Sequence, residues 1–283
     1  MITDTTGLTA ILTGANGGLG LPLTEALAAA GIHLLLVAYP GIGLDQAQAI
    51  AARHGVKASV LVADLRLDSE RIRTIDVALE RLGHVDVLVN NAGVEYSAAY
   101  HDLTSAQIIE VLNVNLEAPM RLAHLVLPGM LERRRGHILN ISSLAGKAGP
   151  GFQEPYAASK AGLSAFTYSL RNTYRGTGVS ASVITPGFVD AGIYARMKNR
   201  TGRGAPPLLA ACSAEKVARA TLRALTRDRA EIIVNTYPMR PLLACMALWS
   251  GFAERVPQWT GANAFFRAAA EAERQNRTNR TNR

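Results

Sequence analysis

TGANGGLG, residues 13–20, ends the apolar run LTAILT (8–13) and opens the helical pattern GLGLPLTEALAAAG (18–31). Strand, glycine turn and helix in that order build an anion site. The glycines let the backbone turn tightly and approach a pyrophosphate closely. The free N–H groups and the helix dipole then face the negative charge. Thr13, Gly14, Asn16, Gly17, Gly18, Leu19 and Gly20 make up this candidate dinucleotide turn. Its spacing is T-G-x-x-x-G-x-G rather than the commoner G-x-G-x-x-G.

Outward from that turn, short apolar runs alternate with helical patterns. IHLLLVA (32–38), ASVLVAD (58–64), VDVLVNNAG (85–93), GHILNISS (136–143), GVSASVITPG (178–187) and AEIIVNTYP (230–238) bring the strand candidates to seven. They are nearly continuous in apolar residues, as strands buried on both faces are. Helical patterns fall between them at 44–55, 69–83, about 104–132 and about 155–175. Strand–helix alternation predicts right-handed crossovers and an α/β fold, a doubly wound parallel sheet flanked by helices. Residues 1–273 read as a single domain. Two segments break the rhythm, 188–212 and 239–262, and both follow strand C-termini, where such sheets bind ligands.

The 283 residues include 48% apolar and 18% charged side chains, which excludes a disordered chain and allows a full core. Net charge is +8, with 25 arginines against 5 lysines, but residues 274–283, RQNRTNRTNR, carry four arginines and no acid. That polar repeat reads as a disordered tail, and the remaining +4 is too mild a field to indicate nucleic acid. No apolar run reaches the roughly 20 residues of a membrane span. The N-terminus MITDTTGLTA has no secretory pattern, and Cys212 and Cys245 form neither a metal cluster nor a disulfide framework. These features point to a cytoplasmic protein without a metal site.

The end of the second strand selects the cofactor in such folds: a carboxylate binds the ribose 2′-OH of NAD, an arginine the 2′-phosphate of NADP. Here the residues are Ala38, Tyr39 and Pro40. Without an acid to repel the phosphate, the choice between NAD(H) and NADP(H) leans to NADP(H). Asp64, followed by Leu65, ends the third strand, where it can meet the adenine or cap the next helix.

Tyr156 and Lys160 lie four apart near a helix start and share one face. An ammonium about one turn away is expected to lower the phenol pKa and make the tyrosine a usable acid or base. Ser143, at the end of the fifth strand, precedes Tyr156 by 13 residues and is placed to bind a carbonyl or hydroxyl above the sheet. Ser142 alternates to the other side and reads as structural.

TGANGGLG, NNAG (90–93), NVN (113–115), NISS (140–143), YAASK (156–160) and ITPG (184–187) together resemble the short-chain dehydrogenase/reductase family in order and spacing, over about residues 7–238. The resemblance implies a Rossmann-type seven-stranded domain and NAD(P)-dependent hydride transfer between an alcohol and a carbonyl. It implies a tetrad of Asn115, Ser143, Tyr156 and Lys160, with Asn115 anchoring a relay water and Lys160 gripping the nicotinamide ribose. Asn91, Ala92 and Gly93 would flank the adenosine. Pro186 and Gly187 would wall the nicotinamide, and backbone groups of Phe188 and Val189 would meet its carboxamide. The family often has Thr five positions after that proline; this chain has Ala191, and Asp190 reads either as a substitute acceptor or, in preference, as a solvated loop aspartate. Homodimers or homotetramers are usual in the family.

Substrate contacts are expected from residues 144–155, the 188–212 lid and the 239–262 segment, with Phe152, Ile193, Tyr194, Met197, Leu208, Leu242 and Trp249 as apolar members. They suggest a hydrophobic or carrier-linked small-molecule substrate, with Arg196, Lys198, Arg200 and Arg203 attracting an anionic one. Residues 241–253 could lie on a membrane surface but are too short to span a bilayer, and membrane contact is not the expected role. Competing readings are a catalytically silent NAD(P) sensor, which has no need of both Tyr156 and Lys160, and an isomerase or lyase on the same scaffold.

Overall fold

The computed structural model describes residues 4–281, with side chains through 276. Its elements in chain order are β1 (Thr9–Thr13), α1 (Gly20–Ala29), β2 (His33–Ala38), α2 (Leu44–Ala52), β3 (Ala58–Val62), α3 (Asp68–Leu82), β4 (Val87–Asn90), α4 (Ser105–Leu112), α5 (Ala118–Glu132), β5 (Gly136–Ile141), α6 (Ala145–Ala148), α7 (Glu154–Thr173), β6 (Val179–Pro186), α8 (Gly192–Thr201), α9 (Ala214–Arg227), β7 (Glu231–Val234), α10 (Arg240–Leu248), α11 (Ser250–Trp259) and α12 (Ala262–Thr281). The seven strands form one parallel sheet in the order β3-β2-β1-β4-β5-β6-β7. This is the Rossmann-type, doubly wound α/β sheet that the alternating pattern predicts.

The continuous apolar runs have a direct packing cause. Along β2, Leu34, Leu36 and Ala38 pack into one core layer and Leu35 and Val37 into the other. The first layer is covered by Leu23 and Leu27 of α1, Ala47 and Ala51 of α2, and Val217 and Leu225 of α9. The second is covered by Ile75 and Ala78 of α3 and Leu122, Val126 and Met130 of α5. A strand with helices on both faces has no position where a polar side chain reaches water. Each fully buried leucine contributes about 2 kcal/mol.

Two expectations change. The helical stretch at 104–132 is two helices joined by a π-helical turn, Asn113–Glu117. The segment 274–283 reads as disordered in sequence, yet α12 carries its backbone in a helix through Thr281, and residues 282–283 lie outside the described ones. Phe265, Phe266 and Ala269 bury the first half of α12, and adding residues to a helix already nucleated by packing is cheap even for a polar sequence.

The strand order reverses between β1 and β4. Ligands bind such sheets beyond the strand ends at that crevice, and the loops after β1 and β4 line a cavity there.

Candidate active site

The glycine turn wraps from β1 to α1 with its amides open. Gly18 N–H and Leu19 N–H have no hydrogen-bond partner among the described residues. They sit at the start of α1, where unpaired donors and the dipole favour an anion. Gly14 is left-handed (φ 66°), and a Cβ there would lie 2.8 Å from the Ala92 Cα. A Cβ on Gly18 would lie 2.1 Å from the Gly192 backbone nitrogen, so Gly18 also seats the start of the 188–212 segment.

Gly14, Asn16, Gly17, Gly18 and Leu19 line the cavity. Thr13 and Gly20 stand behind it. The Thr13 hydroxyl accepts from the Asn91 and Ala92 backbone amides at 3.0 and 3.1 Å, and Asn91 Nδ2 donates to the Thr13 and Gly14 carbonyls. Thr13 thus braces the 91–93 loop against the turn. Asn16 Nδ2 donates to the Pro40 and Ile42 carbonyls, tying the turn to the end of β2.

Tyr39, Asp64 and Leu65 line the far end of the cavity. They are joined there by Arg66, which the sequence reading missed. Its guanidinium lies 5.5 Å from the Tyr39 ring centroid, pairs with Asp64 at 2.6 Å and reaches Glu110 at 3.1 Å. The Arg66 hydrogen bonds hold the Asp64 carboxyl below its usual range. A base therefore does stand beside the end of β2, carried there from beyond β3.

Ser143, Tyr156 and Lys160 line the opposite end, with Gly93, Pro186, Gly187, Val189 and Ile193. The Ser143 hydroxyl lies near enough to the Tyr156 phenol to favour its ionised form. Lys160 Nζ donates to the Ile141 carbonyl at 2.9 Å and lies 5.7 Å from the Tyr156 ring centroid. Ser142 is structural, bonded to the Lys160 carbonyl at 2.8 Å and to Ser164.

The expected lowering of the phenol pKa does not occur in this arrangement. Burial pushes Tyr156 up to about 12, with the Ser143 hydroxyl opposing and the Glu95 charge adding. Burial alone pushes Lys160 down to about 8. Each desolvated group favours its neutral form, and for Tyr156 that effect outweighs the help from its neighbours. At neutral pH the phenol holds its proton and is a donor.

Asn115 is fully buried and outside the cavity. Its Oδ1 accepts from Val94 N–H at 2.9 Å, and its Nδ2 donates to the Val94 carbonyl and to Ser159 Oγ. Three of its four side-chain positions are spent on protein partners. Its side chain therefore braces the loop after β4. The π turn is what points Asn115 inward.

The cavity measures about 720 Å³, and Tyr194, Met197, Leu242, Leu243, Met246 and Phe266 give its inner part apolar walls. Phe152, Leu208 and Trp249, expected to line it, do not. Phe152 has left-handed backbone (φ 64°), and its ring lies 5.6 Å from the Arg267 guanidinium against the α8–α12 aromatic cluster. Leu208 and Trp249 are exposed. Asp190 is the solvated loop aspartate of the preferred reading: it is exposed, pairs with Lys198 at 3.4 Å and does not line the cavity. Of the basic residues on the 188–212 segment, Arg196 lines the cavity and Arg200 pairs with Glu273.

The chemistry of this donor set fits a dinucleotide: open amides at a helix start, a glycine cradle that side chains would fill, and a polar end near Asp64. The short chain dehydrogenase family model matches residues 8–201. A ketoacyl reductase, HetN, from Nostoc sp. is 36% identical over 275 residues, 95% of each chain. An acetoacetyl-CoA reductase from Allochromatium vinosum is 31% identical over 192 residues, 67% of this chain and 78% of that one. A solved metagenomic short-chain oxidoreductase in complex with NADP superposes with a TM-score of 0.70 at 28% identity, covering 83% of this chain and 100% of that one. Among the described residues no helix is long and apolar enough to cross a membrane. Motif order, sheet topology and these likenesses agree: the chain belongs to the short-chain dehydrogenase family, and it is an NAD(P)-binding oxidoreductase of the CH–OH class.

Proposed function

We propose that the protein reduces the keto group of a 3-ketoacyl thioester to the alcohol, with NADPH as the preferred reductant and Tyr156 as the proton donor. The observation that carries this is that Ser143, Tyr156 and Lys160 line the same largely apolar cavity as the glycine turn, with burial keeping the Tyr156 phenol protonated. Both the Nostoc and the Allochromatium relatives are named as reductases of ketoacyl compounds. Arg66 beside Tyr39 favours the 2′-phosphate of NADP.

When bound, the dinucleotide supplies the hydride. The chain does the rest. Ser143 and Tyr156 donate hydrogen bonds to the carbonyl oxygen and draw charge toward it. As the carbon becomes tetrahedral, the oxygen takes the Tyr156 proton and leaves a phenolate. The Lys160 ammonium, held by Ile141, stabilises that phenolate. The Met197, Leu242 and Met246 walls exclude water and hold the acyl chain.

The test is NADPH consumption with the N-acetylcysteamine thioester of acetoacetate. Tyr156→Phe should lower kcat by about a hundredfold or more and leave NADPH binding intact. Normal turnover by that variant would remove the acid role from Tyr156.

A further inference from the structure

Glu95 lies in the loop after β4, where no part of the proposed reaction uses it. Its Oε1 accepts hydrogen bonds from the Ser97 hydroxyl and, at 2.6 Å, from Gln153 Nε2. The same Nε2 faces Ser97 Oγ at 2.9 Å and the Phe152 carbonyl at 3.1 Å. Three acceptors around one nitrogen decide which way the Gln153 amide is turned: only the NH₂ end can sit there. The left-handed backbone at Phe152 brings the third acceptor into place.

The consequence lies at the other end of the amide. Gln153 is 1% exposed and lines the cavity. Its Oε1 accepts no hydrogen bond from the described residues. It is also not a sealed polar atom, since among the described residues only Asn90 Oδ1 is buried without a partner. The carbonyl oxygen is therefore the part of Gln153 open to the cavity. Gln153 is the residue directly before α7, three positions ahead of Tyr156, and both side chains line the same cavity.

We propose that Glu95 is a positioning residue that, through Gln153, fixes an amide carbonyl in the cavity wall beside Tyr156, where it accepts a hydrogen bond from an N–H or O–H of the substrate. The substrate class this selects is a ketone carrying such a donor a few bonds from the reacting carbon, as the amide N–H of an acyl thioester arm does. The inference rests on the carbonyl-reducing function proposed above.

Two probes separate the two ideas: the N-acetylcysteamine thioester of acetoacetate and the same compound methylated on its amide nitrogen. They differ in one donor. The wild type should show a KM about fivefold lower for the N–H probe, roughly the worth of one neutral hydrogen bond, with similar kcat. Glu95→Leu and Glu95→Ala should bring the ratio of the two KM values to about one. Gln153→Leu should do the same, and the double variant Glu95→Leu/Gln153→Leu should lose nothing further. Glu95→Gln, whose carboxamide oxygen can still accept from Gln153, should restore the discrimination, which a merely structural role for the charge would not predict. Because either Glu95→Leu or Glu95→Ala suffices, poor folding of one leaves the question decidable. Turnover of both probes without discrimination, or wild-type discrimination in the Glu95 variants, overturns the positioning role alone. Absence of turnover with either probe overturns the reductase reading and this inference with it.

Discussion

Replacing Lys160 with methionine should make the protein more stable at neutral pH while removing its turnover. The ammonium is buried, with the Ile141 carbonyl at 2.9 Å as its hydrogen-bond acceptor, and burial lowers its pKa from 10.5 to about 8. A shift of that size means the folded state holds the charged form at a cost of about 3 kcal/mol. Methionine has nearly the same length and no charge. It loses the Ile141 bond, about 1 kcal/mol, so the net gain at pH 7 is about 2 kcal/mol. With about 2.1 cal/mol/K of unfolding entropy per residue, that gain raises Tm by about 3 °C.

The pH dependence follows from the direction of the shift. Below about 8 the lysine is charged in both folded and unfolded chains, and the cost is present in full. As pH rises from about 8 to 10.5, the folded protein sheds the proton first and the wild type recovers stability. The advantage of Lys160→Met should therefore shrink over that range and vanish by its upper end. Urea unfolding of both proteins at pH 7 and pH 10 measures the difference directly. A variant less stable than wild type at pH 7, or a gain that does not change with pH, would mean the ammonium is well solvated through the cavity. Desolvation would then not be what sets the protonation of Lys160 and its neighbour Tyr156.

Gly18→Val places its Cβ against the Gly192 backbone, 2.1 Å from the nitrogen, so it should abolish NADPH binding by fluorescence titration and lower Tm; normal binding would mean the turn and the 188–212 segment adjust independently. His137 is buried with Ser182 Oγ at 2.8 Å and burial lowers its pKa from 6.5 to about 4. The unfolded chain binds that proton first, so stability should fall by about 3 kcal/mol as pH drops through this range, and His137→Asn should flatten the decline in urea titrations. Arg66→Ala should weaken NADPH about fivefold more than NADH, a discounted value for a partly exposed guanidinium shared with two carboxylates. Equal losses for the two cofactors would remove Arg66 from 2′-phosphate recognition.

Several features were legible without coordinates because they are local. The strands announce themselves as apolar runs, since both faces of each must be buried. The glycine turn is a statement about backbone chemistry over eight residues. Tyr156 and Lys160 share a face because the helix repeat puts them there. Other features depend on residues far apart in the chain. Arg66 reaches Tyr39 only because β2 and β3 are neighbours in the sheet. Glu95 meets Gln153 across 58 residues. Phe152 points to α12 instead of the cavity because of a backbone angle that no composition rule supplies.

The amino-acid order alone determined the fold class, the seven strands and the location of the chemistry at their C-terminal ends, because periodicity and turn chemistry act over a few residues at a time. The folded structure alone decided the sign of the Tyr156 shift, the orientation of the Gln153 amide and the presence of a base near Tyr39. Those depend on desolvation and on which distant groups come within hydrogen-bonding or Coulomb range, and both are properties of packing in three dimensions.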